Sequence, residues 1–92
     1  MNLPVRYRME GDEGWSYGMT VNVSSTGVLF RSGRVLDPHA AMHIEVVLPG
    51  DEHGSARVIS RGAVTRSMTD KGGDDHVIAA ALDRTDLVRT DR

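Results

Sequence analysis

Apolar and polar residues alternate with a period of two along most of this chain, and that periodicity constrains its fold more than any other feature. From Leu3 one side is Leu3, Val5, Tyr7 and Met9, and the other is Pro4, Arg6, Arg8 and Glu10. Successive side chains of a strand point to opposite faces, so this reads as a half-buried strand that presents Arg6 and Arg8 outward. Residues 11–14, Gly-Asp-Glu-Gly, supply a turn. Beyond it Trp15, Tyr17, Met19, Val21 and Val23 alternate with Ser16, Gly18, Thr20, Asn22 and Ser24. The first set predicts a core-facing side anchored by Trp15 and Tyr17. The second leaves Asn22 and Ser24 together on the polar face.

The pattern continues. Ser25, Thr26 and Gly27 make a tight connection to a short apolar strand at residues 28–30, and Pro38 breaks the irregular link that follows. Met42, Ile44, Val46 and Leu48 predict a fourth strand ending at Pro49 and Gly50. A long fifth strand covers residues 55–68, with Gly62 marking a bulge or bend. Residues 69–75 form the longest polar loop. A sixth strand, residues 76–82, is apolar on both sides and is expected to lie centrally, covered on both faces. Residues 83–92 carry only Leu87 and Val88 as apolar groups and are expected to be a short polar tail or a frayed helix. Six short strands with turn signals and no long helical period predict an all-β, six-stranded antiparallel barrel in one domain spanning residues 1–92. Closure removes the exposed edges that so small a sheet would otherwise carry.

Composition bounds the partners. Eleven Lys and Arg stand against 13 Asp and Glu, for a formal net charge of −2. That balance argues against a protein that holds long nucleic acid by counterion release. It leaves room for a small anion held by local arginines, since Lys71 is the sole lysine and guanidinium forks suit bidentate contacts. Without cysteine, disulfides and thiolate metal sites are excluded, and the expected location is the cytoplasm. No apolar run reaches the length of a membrane span.

One constellation carries chemistry. Residues 22–27, Asn-Val-Ser-Ser-Thr-Gly, fit [D/N]-x-S-x-x-G. An amide, a hydroxyl and free backbone N–H groups beside a glycine corner can hold a phosphate or the edge of a base. The plainer reading is a polar turn that satisfies its own backbone. Other groupings point nowhere. His39 and His43 would share a helix face, but a strand beginning near Met42 separates them. Asp51, His53 and Ser55 crowd one hairpin loop, and Asp74, Asp75 and His76 end another, without the pre-oriented geometry of a catalytic triad. No enzyme activity is expected, and no cofactor or metal.

Here the sequence resembles the PilZ domain family. The resemblance is carried by the first strand Leu-Pro-Val-Arg-Tyr-Arg, the Asn22/Ser24/Gly27 signature with Val28, Leu29 and Phe30 behind it, Leu48-Pro49 closing the fourth strand, and Ala-Arg-Val-Ile at residues 56–59. It implies a six-stranded barrel and a receptor for cyclic di-GMP, a bacterial second messenger. In such a receptor Asn22 and Ser24 would contact guanine or phosphate while Gly27 shapes the turn. The family's second motif, R-x-x-x-R before the first strand, would lie upstream of Met1. The literal match from Arg57 to Arg61 falls inside the fifth strand, and Ala80 stands where members often place glycine. Arg6 and Arg8 are the candidate substitutes for the missing pair. Loss of two charge-assisted contacts implies affinity weaker by about a hundredfold or more. The alternative is a PilZ-like adaptor that has lost the nucleotide and binds an unidentified protein partner.

Overall fold

The computed structural model describes residues 2–51, 54–69 and 75–90. Six strands follow one another: β1 (Pro4–Met9), β2 (Ser16–Val23), β3 (Gly27–Ser32), β4 (Ala41–Asp51), β5 (Gly54–Thr69) and β6 (His76–Thr90). All neighbours are antiparallel, and the sheet closes into a barrel in the order β1-β2-β3-β6-β5-β4. The described residues include no helix. None is therefore long and apolar enough to cross a membrane.

Paired residues in a ladder share a face, so the register fixes what points inward. Val5, Tyr7 and Met9 of β1 meet Val46, Ile44 and Met42 of β4. Val28 and Phe30 of β3 meet Ala80 and Ile78 of β6, and Val64 of β5 also lies opposite Ala80. These residues, with Leu36 from the β3–β4 link, are the buried core. Tyr7 and Phe30 are fully enclosed, with ring centroids 5.1 Å apart. The Tyr7 hydroxyl is hydrogen-bonded to the Ser32 hydroxyl, so the buried ring leaves no polar atom unsatisfied.

The face assignment of β2 is the reverse of the one its alternation suggests. Thr20 is the buried residue, whereas Tyr17 is 70% exposed and Met19 43%. Volume explains the inversion. Two aromatic rings from β1 and β3 already fill a narrow interior, and the strand between them must be thin. Gly18 faces inward opposite Val5 and Ser32; a Cβ there would fall onto the Arg31 carbonyl oxygen and sit 3.5 Å from the Phe30 ring. Thr20 fills the next inward place, and its hydroxyl accepts the Leu3 N–H at 2.8 Å. Trp15 and Tyr17 are thus outside the barrel and do not anchor the core.

Two further expectations change at β6. Its outer face is uncovered at Ala81, so the strand is central in the ladder without being enclosed on both sides. Residues 83–90 are strand, neither tail nor helix: Arg84 to Thr90 pair with Arg61 to Ser55 of β5. Ladder hydrogen bonds to a 16-residue neighbour hold this segment extended although Leu87 is 55% exposed. The register of β5 against β6 shifts at Arg61/Gly62, where the sequence places a bulge.

Candidate functional site

Asn22, Ser24 and Gly27 meet at one outer corner of the barrel. A register shift between Thr20 and Asn22 takes Val21 out of the ladder, so that Asn22 pairs with Leu29 and Val23 with Val28. Thr20 faces the core with Phe30, and the extra residue lets Asn22 face solvent with Leu29. The hairpin then closes through the Ser24 N–H, which donates to the Gly27 carbonyl at 2.9 Å. The Thr26 carbonyl accepts the Leu82 N–H at 2.9 Å, which ties the turn to β6.

The Ser24 hydroxyl organises this turn. Its oxygen accepts the Gly27 N–H at 3.2 Å and the Thr26 N–H at 3.4 Å, and its proton can reach the Gly27 carbonyl at 3.3 Å. Each bond is long and exposed, so the hydroxyl proton is available for redirection to an incoming acceptor. The Asn22 amide has no hydrogen-bond partner among the described residues. Asn22, Ser24 and Gly27 line one shallow depression of about 220 Å3 with Val28, Leu29, Ala79 and Ala80. Gly27 serves close approach rather than a left-handed turn: a Cβ would stand 3.2 Å from the Ala80 carbonyl oxygen, a tight contact. Among the described glycines only Gly11 has positive φ.

Arg6 and Arg8 lie elsewhere. Arg6 is opposite Tyr17, five residues before Asn22 on β2, which places it about 15 Å from the corner along the strand. Its Nε and Nη2 both reach Glu45 Oε2 at 2.6 Å, and Arg57 Nη1 reaches Oε1 of the same carboxylate at 3.1 Å. Glu45 is 4% exposed although it sits on the outer side of β4. The carboxylate, acting chiefly by its hydrogen bond, raises Arg6 above the ordinary guanidinium value. The Arg6 and Arg8 guanidinium carbons also stand 4.3 and 4.9 Å from the Trp15 ring centroid. These arginines therefore build a Trp15–Glu45 clamp on the opposite flank. Arg57 of the literal R-x-x-x-R match belongs to that clamp too.

Glu45 is the charged residue that reading the sequence left unmarked. Nothing local distinguishes it from a solvated strand glutamate; its role depends on the register that brings β1 and β5 to either side of it. Of the other groupings, His39 lies before β4 at φ 71° with its N–H on the Val64 carbonyl, and His43 is an exposed residue inside β4. His53 and Asp74 lie outside the described residues.

No family model matches the sequence, and no curated protein matches it. Its structure is similar to that of the Bacillus subtilis inhibitor of motility, MotI/DgrA, with a TM-score of 0.77 over 94% of this chain and 16% identity. The chain spans 40% of the length of that protein. At this identity the likeness shows a shared barrel fold.

Proposed function

We propose that this barrel is a PilZ-type receptor module that takes cyclic di-GMP at the corner of Asn22, Ser24 and Gly27. The observation that carries the reading is the convergence of these three residues on one outer depression. Asn22 offers a base edge an amide that is unengaged among the described residues, and Ser24 offers its hydroxyl proton to a phosphate while its oxygen keeps the Thr26 and Gly27 N–H groups. The small side chains of Ala79 and Ala80 keep the approach open. The likeness to the inhibitor of motility supports the fold on which the reading rests. Arg6 and Arg8 are dropped from the proposed ligand set, because Glu45 and Trp15 hold them on another flank.

The direction of β1 supports a place for the arginines that such a site calls for. β1 runs antiparallel to β2, with the Leu3 N–H on Thr20 Oγ1 and the Thr20 N–H on the Leu3 carbonyl. A segment preceding Leu3 would therefore run on beside residues 21–24, toward the corner. Titration calorimetry with cyclic di-GMP tests the proposal. Weak binding is expected for the 92-residue chain, with a loss of about tenfold in Asn22→Ala or Ser24→Ala, one polar contact each. An in-frame R-x-x-x-R in the genomic bases upstream of Met1, restored to the protein, is expected to tighten binding by about a hundredfold. No heat at millimolar nucleotide from either protein overturns the reading.

The adaptor reading has its own support. Tyr17, Met19 and Val21 put an exposed apolar stripe along the outside of β2. If that stripe is the working surface, Tyr17→Ser abolishes the cellular phenotype while Ser24→Ala preserves it.

A further inference from the structure

On the wall away from the Asn22 corner, the register lines up three arginines and a histidine across four strands. Arg8 of β1 is opposite His43 of β4, His43 is opposite Arg61 of β5, and Arg61 is opposite Arg84 of β6. All four face outward, and strand spacing spreads them over about 14 Å. Arg61 and Arg84 are like charges directly opposite in a ladder, an arrangement that is destabilising. That pair has little relief: Arg84 meets Asp86 only at 3.9 Å in the open, and Arg61 has no carboxylate partner among the described residues, whereas Arg8 rests on Trp15 and lies within the field of the Asp12 carboxylate.

Beside the row is a cavity of about 340 Å3, lined by His43, Arg61, Glu10, Asp83 and a floor of Ala41, Gly62 and Ala63 over buried Met42. That volume falls within the range of small-molecule sites. The floor is fixed by Gly62, where a Cβ would fall onto the Ala81 carbonyl oxygen. Glu10 and Asp83 share the cavity with Arg61 and His43 but form no ion pair with either. It therefore offers a guanidinium and an imidazole as donors and two carboxylates as acceptors, none of them in an ion pair among the described residues.

We propose that this cavity is a second ligand site, for a small phosphorylated molecule that also carries hydroxyl groups, such as a sugar phosphate or the sugar-phosphate part of a nucleotide. Arg61 takes the phosphate by charge-assisted hydrogen bonds with His43 beside it, and the phosphate relieves the repulsion between Arg61 and Arg84. Glu10 and Asp83 accept hydrogen bonds from the hydroxyls. The site stands independently of whether the Asn22 corner binds a nucleotide.

Amide spectra of the labelled protein, titrated with ribose 5-phosphate, ribose and inorganic phosphate, test this together with thermal unfolding. Ribose 5-phosphate is expected to shift the amides of His43, Arg61 and Ala63 and to raise the melting temperature. Inorganic phosphate acts more weakly and ribose not at all. Arg61→Gln is expected to leave the unliganded melting temperature unchanged or higher, because one of the facing charges is gone, while weakening the sugar phosphate at least about tenfold. His43→Gln lowers affinity by a smaller factor. The proposal fails if ribose 5-phosphate leaves those amides unmoved, if Arg61→Gln binds it as tightly, or if inorganic phosphate binds equally well.

Discussion

Replacing Gly18 by alanine tests the architecture at its tightest point. The added Cβ would lie well inside contact distance of the Arg31 carbonyl oxygen, a backbone atom of the neighbouring strand that no rotamer change can move. β3 must then shift away from β2 around the Gly18–Ser32 pair, and the Phe30 ring must follow. Overpacking of this kind costs about 1–3 kcal/mol, and a weakened ladder hydrogen bond adds about 1 kcal/mol. A total near 3 kcal/mol is a large share of the roughly 5–14 kcal/mol expected for a domain of this length. The melting temperature should fall by about 12–24 °C. Tyr17→Ser is the paired measurement, since its side chain is 70% exposed and its loss should cost about 1 kcal/mol. Urea unfolding of both variants decides the matter. Were β2 turned the other way, with Tyr17 in the core, Tyr17→Ser would cost about 3–5 kcal/mol and Gly18→Ala would be close to neutral. That order of effects would refute the face assignment.

Three other outcomes follow from the same structure. Thr20→Val keeps the shape of the buried side chain but removes the acceptor of the Leu3 N–H, and equilibrium unfolding should show a loss of about 1–2 kcal/mol. Glu45→Gln breaks the clamp of Arg6 and Arg57; because both arginines are about one-third exposed and can rehydrate, the expected loss is about 1–2 kcal/mol rather than that of a fully buried pair. Asp12 is held below the ordinary aspartate range, first by its hydrogen bond from Arg34 and then by the Met9 N–H. Its stabilisation is therefore present above about pH 4 and is lost as pH falls through its lowered folded-state value, so Asp12→Asn should flatten the acid-side decline in stability measured by unfolding at stepped pH.

Alternation along the chain revealed the strands and the barrel, but it carries a period without a sign. In β1 and β4 the apolar set is the inner one, as Val5, Tyr7, Met42 and Ile44 attest. In β2 the same kind of pattern points the other way, because Tyr7 and Phe30 leave the interior no room for Trp15 or Tyr17, and Arg6 and Arg8 cover Trp15 from outside. That outcome depends on volumes contributed by other strands, which no local window contains. The extension of β6 through residues 83–90 was hidden for a related reason: its partner, the first half of β5, is distant in sequence and holds it by backbone bonds. The Asn22–Ser24–Gly27 corner was legible because one hairpin builds it. The Glu45 clamp and the Arg8–His43–Arg61–Arg84 row were not, since each gathers its members from separate strands through register.

Chemical-shift mapping with cyclic di-GMP on the uniformly labelled protein tests the proposed receptor corner most directly. The account predicts perturbations confined to Asn22, Ser24, Gly27, Leu29 and Ala79, including the Asn22 side-chain amide, with the Arg6–Glu45–Trp15 flank unmoved. A spectrum that stays unchanged at millimolar nucleotide, or one whose changes centre on that flank, would contradict it.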